Sequence, residues 1–143
     1  MITEPDTILL TETQKSKHPG CIVCGQENRS GLGIQFQAMP DGSVETSFSA
    51  PQWCEGYHCL YHGGVISAIL DGAMTNCLFA RGITAVTGEL NVRFRQEVLL
   101  AREISIKAWI SRESDPLFIL KGEIVQDGIS KAISTGKFMK TIK

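Results

Sequence analysis

The sequence lacks the features that place a protein in a membrane or on a nucleic acid. No apolar run approaches the ~20 residues that a membrane-spanning helix needs, and the first residues do not have the basic-then-apolar order of a secretory signal. Lys and Arg number 14 against 15 Asp and Glu, so the formal charge is −1 and no basic surface is indicated. We therefore predict a cytoplasmic protein with no nucleic-acid or membrane partner, and this charge still allows a small anionic ligand.

The sequence also lacks the even set of cysteines that is typical of a disulfide framework. It has five, and no export signal accompanies them. We predict that they are reduced thiols. Cys77 lies in an apolar stretch and is predicted to be a small core residue.

Residues 62–82 are predicted to form one long helix that protein surrounds on most sides. The segment begins near two glycines, runs about five turns at ~3.6 residues per turn, and is apolar nearly all round. Ser67, Asp71 and Thr75 interrupt the apolar surface, and their spacing of four residues places them in one polar stripe. Asp71 is thus a carboxylate on a helix suited to burial, where carboxylates are rare unless they are paired or used.

Alternating apolar and polar residues predict strands before and after this helix. The predicted strands are residues 32–38, 44–48, 86–94, 104–110, 118–124 and 129–139. A Pro-Asp-Gly turn predicts a hairpin between the first two, and short turns make neighbouring strands antiparallel. In the third run, the alternation puts Val86 and Leu90 on one face and Thr87 on the other. One buried helix, with about six antiparallel strands that curl around it, makes an α+β fold in a single domain of this length.

The first 30 residues are predicted to be an irregular segment that precedes the folded domain at residues 31–143. Residues 1–17 show little periodicity, which is common in a terminus that is loosely held or packs late. Residues 18–33 are rich in glycine and in residues that favour turns.

The pattern HGGxxxxxxD at His62, Gly63, Gly64 and Asp71 resembles the hotdog-fold thioesterases of the PaaI type. The strand order and the later segment TGELNVRFRQEV resemble them as well, and the likeness covers roughly residues 31–139. The resemblance implies a sheet wrapped around the central helix and chains paired into homodimers or dimers of dimers. It also implies hydrolysis of an acyl-CoA thioester, with neither a cofactor nor a metal in the reaction.

The physical chemistry of the motif fits this activity. The start of a helix presents unpaired N–H groups, and Gly63 or Gly64 would let a substrate oxygen approach them closely, as an oxyanion hole requires. Asp71 lies seven residues beyond Gly64, about 10 Å along the axis, so one carbonyl cannot touch both within one helix. Two chains with antiparallel helices would bring each Asp71 to the other chain's glycines. Asp71 is predicted to act as general base or nucleophile.

Further site residues follow from the resemblance and from position. His62 would orient the thioester or cap the helix, and the sequence leaves both open. The resemblance implies that Thr87 helps to place the attacking water. Two positions depart from the family pattern: Gly56 stands where several members have asparagine, and Gly72 stands where many close relatives have glutamate.

The substrate-binding residues are predicted to be Tyr61, Arg93 and Arg95. The two arginines lie on the polar face of a long strand and could meet the phosphates of CoA, or could simply keep the strand soluble. Three aromatic residues could line an acyl pocket or belong to the core: Trp53, Tyr57 and Phe79.

The irregular segment contains one group of candidate metal ligands. Cys21 and Cys24 have the spacing with which two thiolates hold one metal, and His18 could supply a third ligand. A fourth ligand would have to be Cys54, His58 or Cys59. Related sequences also have a Cys-rich segment here that could simply pack over the site entrance, and we favour that interpretation.

Two alternatives to the enzyme are retained. One is a non-catalytic hotdog module that binds an acyl thioester or a related small ligand. The other is a structural protein that a metal stabilises.

Overall fold

The computed structural model describes residues 6–141 and contains a six-stranded antiparallel sheet with one long helix packed on it. The elements are α1 (Thr7–Lys17), β1 (Gln37–Ala38), β2 (Val44–Phe48), α2 (Gly63–Phe79), β3 (Ala85–Phe94), β4 (Ile104–Ser114), β5 (Leu117–Gln126) and β6 (Ile129–Lys140). The strand order is β1-β2-β4-β5-β6-β3. The predicted α+β architecture is confirmed.

Helix α2 forms the centre of the core. Its large apolar side chains are at most 1% exposed, and burying each of them contributes about 1.5–3 kcal/mol: Ile66, Ile69, Leu70, Met74, Leu78 and Phe79. Two sheet glycines let the helix approach closely: a Cβ at Gly122 would lie 3.1 Å from Leu70 Cδ2, and one at Gly136 would lie 3.1 Å from Met74 Cε. Larger residues on β5 and β6 would therefore push α2 away from the sheet.

The ends of α2 agree with the prediction to within a few residues. His62 is the N-cap, and Gly82 has a φ of 70°, a left-handed conformation that glycine adopts without strain. Arg81 pairs with Glu113 of β4, with Nη1 and Oε1 2.7 Å apart. Cys77 is fully buried, as predicted.

The N-terminal segment differs from the prediction, because residues 7–17 form helix α1 and are not irregular. Asp6 caps this helix by accepting hydrogen bonds from Ile8 N and Leu9 N at 2.7 and 3.4 Å. Only Leu10 and Gln14 of α1 are buried, so the sequence has little of the periodicity that marks an amphipathic helix. Residues 1–5 lie outside the described residues, and the domain boundary at residue 31 stays a prediction.

Strand β1 is much shorter than predicted. Leu32 N and Ile34 N donate hydrogen bonds to Ile22 O and Val23 O at 2.7 and 2.8 Å, so this stretch pairs with the cysteine-rich loop and not with β2. The predicted hairpin between β1 and β2 is confirmed, and Gly42 in its turn has a φ of 91°.

Strand β3 contains a bulge that changes which residues share a face. The pairing with β6 shifts between Thr87 and Glu89, leaving Gly88 as the extra residue. Thr87 consequently lies opposite Phe138 and faces the same side as Leu90, the side of α2. The prediction that Thr87 and Leu90 lie on opposite faces is wrong, because simple alternation does not account for the bulge.

The two edges of the sheet differ in length and cover. β1 has two residues, and α1 covers it: Ala38 N donates a hydrogen bond to Thr7 Oγ1 at 3.0 Å. β3 has ten residues and forms the other edge, where Val86, Leu90 and Phe94 are exposed. Within residues 6–141, no helix has the length and apolar character to cross a membrane.

Candidate active site

The start of α2 leaves one backbone N–H free. His62 Nδ1 accepts a hydrogen bond from Gly64 N at 2.8 Å, and His62 O accepts from Val65 N and Ile66 N at 3.0 and 3.1 Å. Gly63 N is thus the one donor of the first turn without a partner among the described residues. Of the two predicted glycines, Gly63 has the N–H that can meet an oxyanion, and His62 is seen to cap the helix.

Of the three glycines around His62, Gly56 and Gly64 are sterically crowded and Gly63 is not. A Cβ at Gly63 would make ordinary contact with the Phe94 ring, at 3.6 Å. A Cβ at Gly64 would lie 3.0 Å from His62 Nδ1, and one at Gly56 would lie 2.9 Å from His62 Cα. The departure at residue 56 therefore has a structural reason: a side chain there would displace the capping histidine.

Asp71 faces β3 and is bound by one hydroxyl. Thr87 Oγ1 donates a hydrogen bond to Asp71 Oδ1 at 2.7 Å, while Asp71 Oδ2 accepts no hydrogen bond from any described residue. The other members of the polar stripe bond to the helix backbone: Ser67 Oγ donates to Gly63 O and Thr75 Oγ1 to Asp71 O, both at 3.0 Å. One carboxylate oxygen is therefore fixed, and the other can accept a proton.

Gly63 and Asp71 lie on one uncovered surface but far apart. Asp71 lies eight positions beyond Gly63, which is about 12 Å along the helix axis. Gly63 is exposed and Asp71 is half-buried, and the neighbouring β3 edge exposes Leu90 and Phe94. A single chain therefore presents both groups without bringing them to one carbonyl.

The predicted substrate-binding residues lie in two different environments. Tyr61 is buried, and burial raises its pKa to about 12. Arg93 is exposed on the face of β3 that points away from α2. Arg95 follows the last residue of β3 and is exposed as well, and its N donates to Lys131 O at 2.8 Å. Within residues 6–141, no ion pair involves Arg93, Arg95 or Lys131.

The three aromatic residues considered for an acyl pocket differ in their exposure to solvent. Phe79 is 1% exposed and belongs to the core, whereas Trp53 and Tyr57 are exposed. A groove of about 620 Å³ lies between α1, residues 32–37 and β2. Neither Asp71 nor Gly63 lines this groove.

The predicted metal ligands form a compact group of three. The ligand atoms of His18, Cys21 and Cys24 all lie within 4.8 Å of one another. His58 and Cys59 belong to a separate group with Glu55, and Cys54 is buried in the core. The structure therefore does not bring any of the predicted fourth ligands to the group of three.

A comparison with known protein families identifies the family of this chain. The family model of the thioesterase superfamily matches residues 60–133, which include the capping histidine, the glycines, Asp71 and Thr87. No curated protein sequence gives a significant match.

Several solved structures share the fold. The PaaI protein of Escherichia coli, from the phenylacetic acid degradation operon, superposes with a TM-score of 0.74 at 19% identity, over 93% of this chain and 96% of PaaI. A hypothetical thioesterase of Streptococcus pneumoniae, solved with coenzyme A, has a TM-score of 0.69 at 18% identity, over 74% of this chain and 86% of that one.

A further thioesterase superfamily protein has a TM-score of 0.76 at 22% identity over 80% of this chain. The present chain spans only 60% of the length of that relative. The solved structures establish the fold, and the family match covers more than half of the sequence. The chain therefore belongs to the thioesterase superfamily and has the hotdog fold.

Proposed function

We propose that this protein hydrolyses an acyl-CoA thioester in a site formed by two copies of the chain. The observation that carries the proposal is the bond from Thr87 Oγ1 to Asp71 Oδ1, on the helix whose start leaves Gly63 N free. An oriented carboxylate and an unpaired helix N–H are the two groups that thioester hydrolysis requires.

Each group has a distinct part in the proposed reaction. Gly63 N–H binds the carbonyl oxygen of the thioester, where the helix dipole also favours negative charge. Asp71 Oδ2 accepts a proton from water, whose oxygen attacks the carbonyl carbon, and Thr87 holds the carboxylate in place through Oδ1. The carbon–sulfur bond then breaks, and the CoA sulfur leaves and takes up a proton.

Asp71 could instead attack the carbonyl carbon itself. Its free Oδ2 would then form an anhydride with the acyl group, CoA would leave, and water would hydrolyse the anhydride in a second step. The same residues serve both routes, so the proposal names Asp71 as the base or the nucleophile.

Pairing of two chains would complete the site. The β3 edge is ten residues long and exposes Leu90 and Phe94 on the side of α2. If two β3 edges pair about a two-fold axis, the sheet continues, these side chains are covered and the two α2 helices run antiparallel. Each Asp71 would then approach the partner chain's Gly63. We propose a homodimer, and a dimer of dimers would preserve this interface.

Unpaired cations support a substrate with phosphates. Arg93, Arg95 and Lys131 lie together near the end of β3 where Phe94 approaches Gly63. Guanidinium and ammonium groups bind phosphate oxygens well, and the S. pneumoniae relative was solved with coenzyme A. We therefore propose a CoA thioester of a small acyl or aryl-acyl group, in keeping with the predicted cytoplasmic location.

One observation favours the second candidate, a non-catalytic module that binds the thioester. The backbone at Gly56 packs so closely on His62 that the asparagine of several family members has no room there. The site consequently has one polar group fewer with which to place water.

Thiol release distinguishes the two candidates. Purified protein is mixed with a panel of aliphatic and aryl-acyl-CoA thioesters, and the free CoA thiol is measured with a colorimetric reagent. Turnover that requires Asp71 supports the hydrolase. Calorimetric binding of the same thioesters without thiol release would support the binding module instead.

A further inference from the structure

The three predicted metal ligands have nearly the spacing of a zinc site. Cys24 Sγ and His18 Nδ1 are 3.7 Å apart, and all three ligand atoms lie within 4.8 Å of one another. With Zn–S near 2.3 Å and Zn–N near 2.0–2.1 Å, tetrahedral geometry requires sulfur and nitrogen ligands to lie ~3.6–3.8 Å apart. The group therefore needs a shift of no more than about 1 Å to hold an ion.

The loop around the two cysteines is held in shape by its own backbone. Gly25 N donates to Cys21 O at 2.9 Å, and Val23 N donates to Cys21 Sγ at 3.4 Å. A Cβ at Gly25 would lie 2.4 Å from Cys21 N, so only glycine fits this turn. The backbone of the loop therefore fixes the position of Cys21 Sγ.

A side chain of α1 fixes the same loop from the other side. Gln14 Nε2 donates to Cys24 O and to His18 O, both at 2.9 Å. Gln14 is buried, so these bonds are shielded from water. The position of His18 relative to Cys24 is thus set by protein contacts before any ion binds.

A buried oxygen beside the group is a second, independent observation. Asn76 of α2 is 1% exposed; its Nδ2 donates to Gly72 O at 2.8 Å, but its Oδ1 has no hydrogen-bond partner among the described residues. The same amide is a direct neighbour of the Cys24 thiol. Buried polar atoms are nearly always satisfied, so an unpartnered oxygen here indicates a missing donor.

We propose that His18 Nδ1, Cys21 Sγ and Cys24 Sγ bind one Zn²⁺ ion, with a water molecule as the fourth ligand that donates a hydrogen bond to Asn76 Oδ1. Two thiolates and an imidazole suit zinc, and do not suit magnesium or calcium, which prefer oxygen ligands. This assignment goes beyond the proposed thioester hydrolysis, which uses no metal.

The ion would support the helix that bears Asp71. The metal-binding loop packs directly on α2, since a Cβ at Gly72 would lie only 2.6 Å from Val23 Cγ1. Gly72 immediately follows Asp71. A larger side chain at residue 72 would clash with Val23 of the loop, so glycine at residue 72 is what lets the loop pack on the helix.

The test measures zinc in full-length protein purified without chelators and under reducing conditions. We expect close to one zinc per chain by elemental analysis. Metal-free reduced protein should take up zinc in competition with a chromophoric chelator, and Co²⁺ in its place should give the visible absorption of a tetrahedral thiolate site. Neither readout depends on thioester hydrolysis, so the zinc proposal can fail while the proposed function stands.

Matched variants locate the ion. Cys21→Ser replaces a half-buried thiol and should fold, yet we expect it to lose most bound zinc and the cobalt absorption. Cys24→Ser should do the same. Cys59→Ser alters an exposed thiol in the separate group with Glu55 and His58, and should keep both signals.

Three results would overturn the proposal. Folded, reduced protein that takes up less than about a fifth of an equivalent has no zinc site of useful affinity. Equal zinc loss in Cys59→Ser and Cys21→Ser would place the ion elsewhere. Full zinc retention by Cys21→Ser would exclude Cys21 as a ligand. If the parent chain then also formed a disulfide between Cys21 and Cys24 in air, the pair would be a redox site and not a metal site.

Discussion

Thr87 Oγ1 donates a hydrogen bond of 2.7 Å to Asp71 Oδ1, and this bond joins the edge strand to the central helix. The bond exists because the bulge at Gly88 turns Thr87 toward α2. It leaves Asp71 Oδ2 without a hydrogen-bond partner among the described residues, as the proposed base requires, and it makes the proposed roles of the two residues separable by substitution.

We expect Asp71→Asn to lower kcat for thioester hydrolysis by at least ~10²-fold, the lower range for the loss of a general base. The amide has nearly the same shape and can still accept the bond from Thr87, so the melting temperature should change little. Steady-state thiol release and thermal unfolding measure the two effects. Asp127→Asn is a matched control, because Asp127 is an exposed carboxylate paired only with Arg102 on the surface. Full activity of Asp71→Asn would remove Asp71 from the mechanism.

We expect Thr87→Val to lower kcat about 10- to 100-fold with little change in KM, because a hydrogen bond to a charged group is worth about 1.5–3 kcal/mol. Thr87→Ser keeps the hydroxyl and should retain most of the activity. The comparison is a kinetic one, made at saturating and at limiting thioester. Full kcat in Thr87→Val would show that the hydroxyl has no part in the reaction.

We expect a substitution at Gly56 to lower the stability of the protein and a substitution at Gly63 to lower its activity. Gly56→Ala places a Cβ 2.9 Å from His62 Cα and should displace the cap of α2, a loss of about 0.5–2 kcal/mol that lowers the melting temperature by several degrees. Gly63→Ala meets only the Phe94 ring at 3.6 Å and should fold normally, but its methyl group crowds the free N–H and lowers kcat. Differential scanning calorimetry and thiol release on both variants separate the two roles, and a normally active Gly63→Ala would argue against the oxyanion assignment.

The β3 edge should control the oligomeric state. Leu90→Lys places a charge on the side of α2, where the partner chain would pack, and should convert the dimer into an inactive monomer in sedimentation experiments. Val86→Lys changes an exposed residue on the opposite face of the same strand and should leave the dimer intact. A monomeric parent chain with full activity would contradict the shared site.

Mixing two inactive variants tests the shared site directly. Asp71→Asn and Gly63→Val should each be inactive, but a heterodimer of the two contains one site with both parental groups. Random mixing of subunits should therefore restore about a quarter of the parental activity, since half of the dimers are mixed and half of their sites are intact. A site built within one chain would show no recovery after unfolding and refolding the mixture together.

Much of the fold could be predicted because its signals are local. The apolar character of α2, the Pro-Asp-Gly turn and the alternation in β4 to β6 are each visible within about ten residues. Helix α1 was missed because it buries only Leu10 and Gln14, which leaves no apolar stripe to detect. The bulge had one signal in the sequence, the glycine at residue 88 inside a strand pattern.

The candidate site was predictable in part. The spacing from His62 to Asp71 located the helix start and the carboxylate. The sequence could not decide between Gly63 and Gly64, because that choice depends on where the His62 ring turns and which N–H it occupies. Nor could it find the partner of Asp71, since the side of the strand on which Thr87 lies depends on a one-residue shift in register.

The unequal edges of the sheet have a consequence for handling the protein. The β1 edge is only two residues long and covered by α1, whereas the β3 edge offers ten residues of unpaired backbone beside exposed apolar side chains. Such an edge is a template on which any other extended chain can add. We therefore expect separated protomers of the proposed dimer, when the parent β3 edge carries no added charge, to aggregate, so that dilution shortens the life of the protein in solution as well as its catalytic output.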